Sequence, residues 1–144
     1  MSLRYLLDTN VLSELARPRA APQVMAAVEA ARGSTATSAT VWHELLRGTA
    51  RLAEGRRKQD LQAWLVRIEA AIPILPYDAE AARWHAQQSA RLMGLGRPPP
   101  YADGQIAAVA AVNGLVLVTR NVKDFEGYEG LLVEDWFQPT PARS

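Results

Sequence analysis

Short apolar segments alternate with helical patterns along this chain, and that alternation limits the possible folds more than any other feature. Residues 115–118 are apolar at every position, and residues 3–7 are apolar except at Arg4. A strand that is apolar on both faces must be covered on both, which is typical of a parallel sheet with helices on each side. The pattern therefore predicts an α/β fold, a three-layer α/β/α sandwich around a mostly parallel central sheet.

Hydrophobic spacing and breaker residues predict five strands and six helices. The strands are expected at residues 3–7, 34–37, 72–75, 115–118 and 131–133, and the helices at 11–16, 22–31, 41–46, 51–71, 78–93 and 106–112. Ser38 or Thr40 is the expected cap of the third helix, and Gly55 is a break point near the start of the fourth. Pro73 and Pro76 favour an edge position for the third strand, because proline cannot donate to a ladder.

The chain length fits one domain. A chain near 150 residues can bury about 68–70% of the surface that it exposes when unfolded, and this one has 144 residues. We expect a single domain over residues 1–138 and a frayed tail over residues 139–144. No apolar run approaches the roughly 18 residues of a membrane span, and no signal-peptide cleavage site follows the N-terminus, so we expect a soluble cytoplasmic protein with no membrane contact.

Charge and cysteine content restrict the chemistry. The chain has no cysteine, which excludes disulfides, thiolate metal sites and cysteine nucleophiles. Its net charge is +1, and 14 of its 16 basic residues are arginine, whose planar fork suits phosphate groups. A G+C-rich genome would produce the same bias, so the charge alone does not identify a partner.

Four acidic residues are expected at one edge of the sheet. Asp8 follows the first strand, Asp103 precedes the last predicted helix, Asp124 follows the fourth strand, and Glu44 lies near the start of the third helix. In open α/β sheets, ligands bind outside the carboxyl ends of the strands, and the topology brings these distant positions together there. Their convergence predicts the functional site.

Clustered carboxylates repel one another, and a hard divalent cation relieves that conflict. Mg²⁺ or Mn²⁺ prefers oxygen ligands from one or two carboxylates, water and a substrate phosphate. Asp8 and Asp103 are the first candidates for metal ligands, and Glu44 and Asp124 are further ones. The chemistry that follows is phosphodiester hydrolysis by an activated water.

Each acid also has a purely structural interpretation. Asp8 could cap the following helix, and Asp103 could favour a helix N-terminus through the macrodipole. Glu44 could be an ordinary solvated helix residue and Asp124 a turn residue. The constellation, rather than any single position, favours a functional site.

Polar and basic residues near the acids complete the prediction. Hydrogen bonds to the carboxylates or to metal-bound water are expected from Thr9, Asn10, Thr119 and Asn121, which are also good turn and cap residues. Contacts with RNA phosphates or an acidic partner are candidates for Arg47, Arg51, Arg56, Arg57, Lys58 and Arg120, although a solvated helix face is the alternative. The isolated histidines, His43 and His85, are interpreted as packing or surface residues.

Four motifs in order resemble a PIN domain, and more narrowly the VapC-type ribonuclease toxins, including their FitB-like branch. The motifs are Leu6-Leu7-Asp8-Thr9-Asn10-Val11-Leu12, Val41-Trp42-His43-Glu44-Leu45, Tyr101-Ala102-Asp103-Gly104-Gln105-Ile106-Ala107 and Thr119-Arg120-Asn121-Val122-Lys123-Asp124-Phe125. Together they span nearly the whole chain, from Leu3 to about Trp136.

The resemblance implies a Mg²⁺-dependent endoribonuclease that forms a homodimer and is inhibited by a small antitoxin covering the acidic pocket. It places Asp8, Glu44 and Asp103 among the metal-binding acids. Either Asp124 or Asn121 occupies the more variable fourth position.

Other functions compete with this one. A haloacid-dehalogenase-like phosphatase needs a second aspartate at position 10, where this chain has Asn10. A phosphorylation receiver needs adjacent acids before its first helix, and they are absent. A stand-alone RNA-processing nuclease and a non-catalytic PIN-like module that binds RNA or protein remain as alternatives.

Overall fold

A computed structural model describes residues 2–138, and the predicted frayed tail lies outside the described residues. Its strands are β1 (Tyr5–Leu7), β2 (Thr35–Ser38), β3 (Ile74–Leu75), β4 (Val116–Val118) and β5 (Val133–Glu134). Its helices are α1 (Thr9–Leu15), α2 (Pro22–Ala30), α3 (Ala39–Ala50), α4 (Arg56–Ala71), α5 (Ala79–Gly94) and α6 (Tyr101–Val112), and a 3₁₀ turn covers Val122–Phe125.

The five strands form one sheet in the order β3-β2-β1-β4-β5, and every neighbouring pair is parallel. Leu6 on β1 lies opposite Ala36 on β2 and Leu117 on β4, which places β1 at the centre. All four residues of β2 are buried although their side chains alternate between faces, so both faces of the sheet are covered. The predicted three-layer α/β/α fold is confirmed.

Apolar side chains on both sides of the sheet form the core. Leu6, Leu7 and Leu117 from the strands are essentially unexposed. The small buried residues of α6, Ala107, Ala108 and Ala110, let that helix approach its neighbours closely. None of the helices in the part of the chain that the structure describes is long and apolar enough to cross a membrane.

Several element boundaries differ from the sequence prediction. The fourth helix begins at Arg56 rather than at residue 51, because Gly55 adopts φ +155° and interrupts the helical backbone. The sixth begins at Tyr101 rather than at residue 106, directly after Pro100. The last strand is Val133–Glu134 rather than 131–133. The predicted edge position of the third strand is confirmed.

Candidate active site

The candidate site lies where the strand order reverses. The chain runs outward from β1 through β2 to β3 and then returns to β4 on the other side of β1. Such a reversal leaves a crevice at the carboxyl ends of the two central strands. Asp8 directly follows β1, and Thr119 directly follows β4. The N–H of Asp8 donates to the carbonyl of Val118 over 2.9 Å, which joins the two strand ends.

The Asp8 carboxylate is held by hydrogen bonds at both of its oxygens. Its Oδ1 accepts from the backbone N–H of Thr9 at 2.8 Å, so Asp8 caps α1, which was the structural alternative to a functional role. Its Oδ2 accepts from the Thr119 hydroxyl at 2.7 Å. Only 7% of Asp8 is exposed. The side chain is both a cap and a fixed acid at the bottom of the crevice.

The Thr119 hydroxyl uses its full hydrogen-bonding capacity to hold Asp8. It donates to Asp8 and accepts from Asn10 Nδ2 at 3.3 Å and from the backbone N–H of Asn121 at 3.1 Å. Asn10 also accepts the backbone N–H of Arg120 at 3.1 Å. Thr9 and Thr119 therefore bond directly to carboxylates, Asn10 reaches Asp8 only through Thr119, and Asn121 contributes its backbone amide.

Glu44 reaches the site from α3. Ser38 caps this helix, since its Oγ accepts the N–H of Val41 at 3.1 Å, which settles the choice between the two predicted caps. The Glu44 carboxylate accepts a short, 2.5 Å hydrogen bond from the Thr9 hydroxyl. Thr9 thus contacts two acids, Asp8 through its backbone and Glu44 through its side chain.

Asp103 lies in the first turn of α6, where the charges of the other acids affect its pKa. Burial, followed by the charges of Asp8, Asp124 and Glu44, raises its pKa to about 6. The pKa of Asp8 is raised as well, chiefly because burial disfavours its charged form, although the Thr119 and Thr9 hydrogen bonds oppose that change.

Asp124 lies in the 3₁₀ turn after β4 and is exposed. Its charge raises the pKa of both Asp8 and Asp103. The four predicted acids therefore converge in the fold. None of the ion pairs found within residues 2–138 includes any of the four carboxylates.

This set of donors fits a hard divalent cation. Among the described residues, no three acidic or histidine side chains are close enough together to form a complete ligand set. Mg²⁺ does not require one, because it is usually held by one or two carboxylates together with water and substrate oxygens. Asp8 is buried and Asp103 is partly buried. Burial, and then the neighbouring negative charges, raise the pKa of both carboxyls, so a bound cation would stabilise the charged form of each.

A groove of about 870 Å³ opens beside the acids. Thr9 and Glu44 line one part of it, and Leu61 and Trp64 on α4 line another. Its basic lining residues are Arg17, Arg56, Arg57 and Arg67. The groove thus combines an apolar surface with positive charge next to the acidic site.

The predicted basic contacts are distributed unevenly. Arg56 and Arg57 line the groove, whereas Arg47 and Arg51 are exposed outside its lining. The Lys58 amine lies 2.6 Å from Glu54, with only 12% of its side chain exposed. The Arg120 guanidinium lies over the Phe137 ring, 4.6 Å from its centroid.

Sequence reasoning missed Arg17 and Arg67 as groove residues. Arg17 lies just beyond α1 and Arg67 in the C-terminal half of α4, and no motif connects them. Their shared location depends on how these segments pack. The basic pair Arg56 and Arg57 and the apolar residues of α4 were the sequence signals that pointed to this surface.

Comparison with known proteins agrees with the fold and identifies the family. The PIN domain model matches residues 5–130. The chain is 32% identical over 135 residues to the tRNA(fMet)-specific endonuclease VapC of Shigella flexneri, covering 93% of this chain and 98% of that protein. It is 33% identical over 138 residues to toxin FitB of Neisseria gonorrhoeae, and the match covers 91% of this chain and 97% of that protein. A chain of the crystal structure of FitAcB from Neisseria gonorrhoeae superposes on this chain with a TM-score of 0.87 at 32% identity, and the match covers 94% of this chain and 99% of that chain.

The chain therefore belongs to the PIN domain family, among its VapC-type members.

Proposed function

We propose that this protein is an endoribonuclease toxin of a toxin–antitoxin pair, and that it depends on Mg²⁺ or Mn²⁺. The observation that carries the proposal is the buried Asp8 carboxylate at the strand-order reversal, with the charges of Glu44 and Asp124 acting on it. Residues 1–138 would act as a single nuclease domain. The similarity to a VapC endonuclease and to toxin FitB supports the same activity.

In this proposal Asp8 and Asp103 hold the cation, and Glu44 and Asp124 are further ligands or orient water. A divalent cation bound there lowers the pKa of water and stabilises negative charge on the phosphate. Thr119 and Thr9 keep the Asp8 carboxylate oriented. With its pKa near 6, Asp103 is mostly ionised at neutral pH and available for metal or for a proton from water.

The groove is the proposed binding surface for the antitoxin. Its apolar residues and four arginines suit a segment with both apolar and acidic side chains. Because the groove includes Glu44 and Thr9, an occupant would also block RNA from the acids. A homodimer is proposed from the family resemblance, and RNA phosphates would contact Arg47, Arg51 and Arg120.

The activity is tested with purified protein free of antitoxin. We expect cleavage of RNA in Mg²⁺, loss of cleavage in EDTA, and loss with Asp103→Asn. Glu29→Gln, which changes an exposed acid on α2, is the matched control and should cleave normally. RNA binding without metal-dependent cleavage would contradict the proposal and favour a binding module.

The metal site is tested without RNA. Mg²⁺ or Mn²⁺ should raise the melting temperature of the wild type, and Asp8→Asn should abolish that rise. An identical melting curve with and without metal in both proteins would argue against the site.

The toxin assignment is tested in cells. Expression should arrest bacterial growth, Asp8→Asn should not, and the product of a short adjacent reading frame should restore growth. Activity on RNA without growth arrest, and without such a neighbour, would favour the stand-alone RNA-processing nuclease.

A further inference from the structure

The helix that carries Asp103 has no side-chain cap, unlike the helix that begins after Asp8 and the helix that carries Glu44. Pro100 occupies the N-cap position of α6 and makes no side-chain hydrogen bond there. By contrast, Asp8 caps α1 and Ser38 caps α3. No side-chain hydrogen bond from the N-cap therefore fixes the first turn of α6, and its contacts with neighbouring side chains become important.

A buried histidine on α5 supplies such a contact. A Cβ atom placed on Gly104 would lie 2.1 Å from His85 Nε2 and 2.6 Å from its Cδ2. The imidazole edge therefore lies directly against the backbone of the residue after Asp103. The same ring contacts Tyr101, with centroids 5.1 Å apart. His85 thus touches two residues of the turn in which Asp103 lies.

The position of His85 is itself fixed. Its Nδ1 is 2.8 Å from the Tyr77 hydroxyl, and the two rings meet edge to face with centroids 5.7 Å apart. Only 4% of the residue is exposed. Tyr77, before α5, and His85, within it, form a rigid support against which the start of α6 rests.

We infer that His85 is a positioning residue for the metal site. By filling the space at Gly104, it sets the position of the first turn of α6 and with it the position of the Asp103 carboxylate. This role rests on the proposed function, since it concerns the acid that would hold the cation. His85 is buried and is not one of the residues that bond to the site carboxylates, so its role would be indirect.

The test is Mn²⁺ binding to protein without RNA, measured from the electron paramagnetic resonance signal of free Mn²⁺. Residues that support metal ligands typically change metal affinity by 10–100-fold, and we expect a loss of about 10-fold for both His85→Ala and Gly104→Ala. If the two substitutions acted independently, the double variant would lose about 100-fold in Mn²⁺ affinity. Because both variants disturb one contact, the double variant should lose no more than either single one.

Leu92→Ala is the control for a general loss of stability. Leu92 lies on the same helix and is 3% exposed. Its side chain lies against Gly127, whereas the three atoms nearest to a Cβ on Gly104 all belong to His85. We expect this variant to have a lower melting temperature and the Mn²⁺ affinity of the wild type, measured where circular dichroism shows all proteins folded.

Wild-type Mn²⁺ affinity in folded His85→Ala would overturn the positioning role, even if its melting temperature fell. The same affinity loss in Leu92→Ala would overturn it too. Absence of Mn²⁺ binding to the wild type would overturn the metal site and this role with it. That outcome differs from normal Mn²⁺ binding in His85→Ala, which would overturn the positioning role alone.

Discussion

Asp8 and Asp103 reach the same acidic site by different physical means. Hydrogen bonds to Thr9 and Thr119 hold both oxygens of Asp8, and backbone pairing joins the strand ends on which these residues lie. Asp103 lies on an uncapped helix whose first turn rests on His85. One acid is oriented by directed bonds and the other by the packing of a neighbouring helix. Different substitutions should therefore disturb each of them.

Thr119→Val is expected to have the largest effect on metal binding and cleavage, because it removes a hydrogen bond that holds Asp8. This change keeps the shape of the side chain but removes the donor to Asp8 and the acceptor for Asn10 and the Asn121 amide. We expect Mn²⁺ affinity and the cleavage rate to fall about 10–100-fold.

Thr119→Ser retains the hydroxyl and is the control for that experiment. It should remain close to the wild type in both measurements. Unchanged Mn²⁺ affinity in Thr119→Val would show that the backbone alone orients Asp8.

The charge on Asp103 should destabilise the protein without metal. Its folded-state pKa of about 6 lies above its ordinary 3.8, so the folded state binds the proton more tightly and stability falls as pH rises from about 4 through 6. Asp103→Asn should raise the melting temperature of metal-free protein at pH 7.5, by roughly 2–4 °C for each 1 kcal/mol of relieved repulsion.

Calorimetry at pH 7.5 and pH 4.5 tests this expectation. The difference between the variant and the wild type should shrink at the lower pH, where Asp103 is protonated. A variant that is less stable than the wild type at pH 7.5 would contradict it.

Thr9→Val should have a smaller effect than Thr119→Val. It removes the 2.5 Å hydrogen bond to Glu44 but keeps the backbone bond to Asp8. A loss near 1 kcal/mol, or roughly fivefold in cleavage rate, is expected for this partly buried pair. Thr9→Ser, which keeps the hydroxyl, is the control. If Thr9→Val lost as much cleavage rate as Thr119→Val, orienting Glu44 would be as important for activity as orienting Asp8.

The smallest effects concern the helix starts. Ser38→Ala removes a buried cap from α3 and should cost about 1 kcal/mol of unfolding free energy. Pro100→Ala removes no cap bond from α6 and should cost only about 0.4–1 kcal/mol, through greater freedom of the unfolded chain. Urea denaturation compares the two, and a clearly larger cost for Pro100→Ala would mean that this proline, rather than His85, holds the helix start.

Much of the fold could be predicted because apolar periodicity is a local property. The order of elements, the parallel sheet and the edge position of β3 all follow from short stretches of sequence. The start of α6 at Tyr101 could not be predicted, since residues 101–105 show no apolar helical spacing. The lining of the groove by Arg17 and Arg67 depends on packing between separate segments.

The sequence by itself determined which chemistry is available: four carboxylates at strand ends and helix starts, no cysteine, and polar residues beside the acids. Only the tertiary structure decided how each acid is held. The register that sets Leu6 opposite Leu117 brings Thr119 to Asp8, residues that are 111 positions apart. The contact between His85 and Gly104 likewise depends on the spacing of two packed helices. The sequence places Thr119 among the residues expected near the acids, but the partner and geometry of each such contact depend on packing between segments that are distant along the chain.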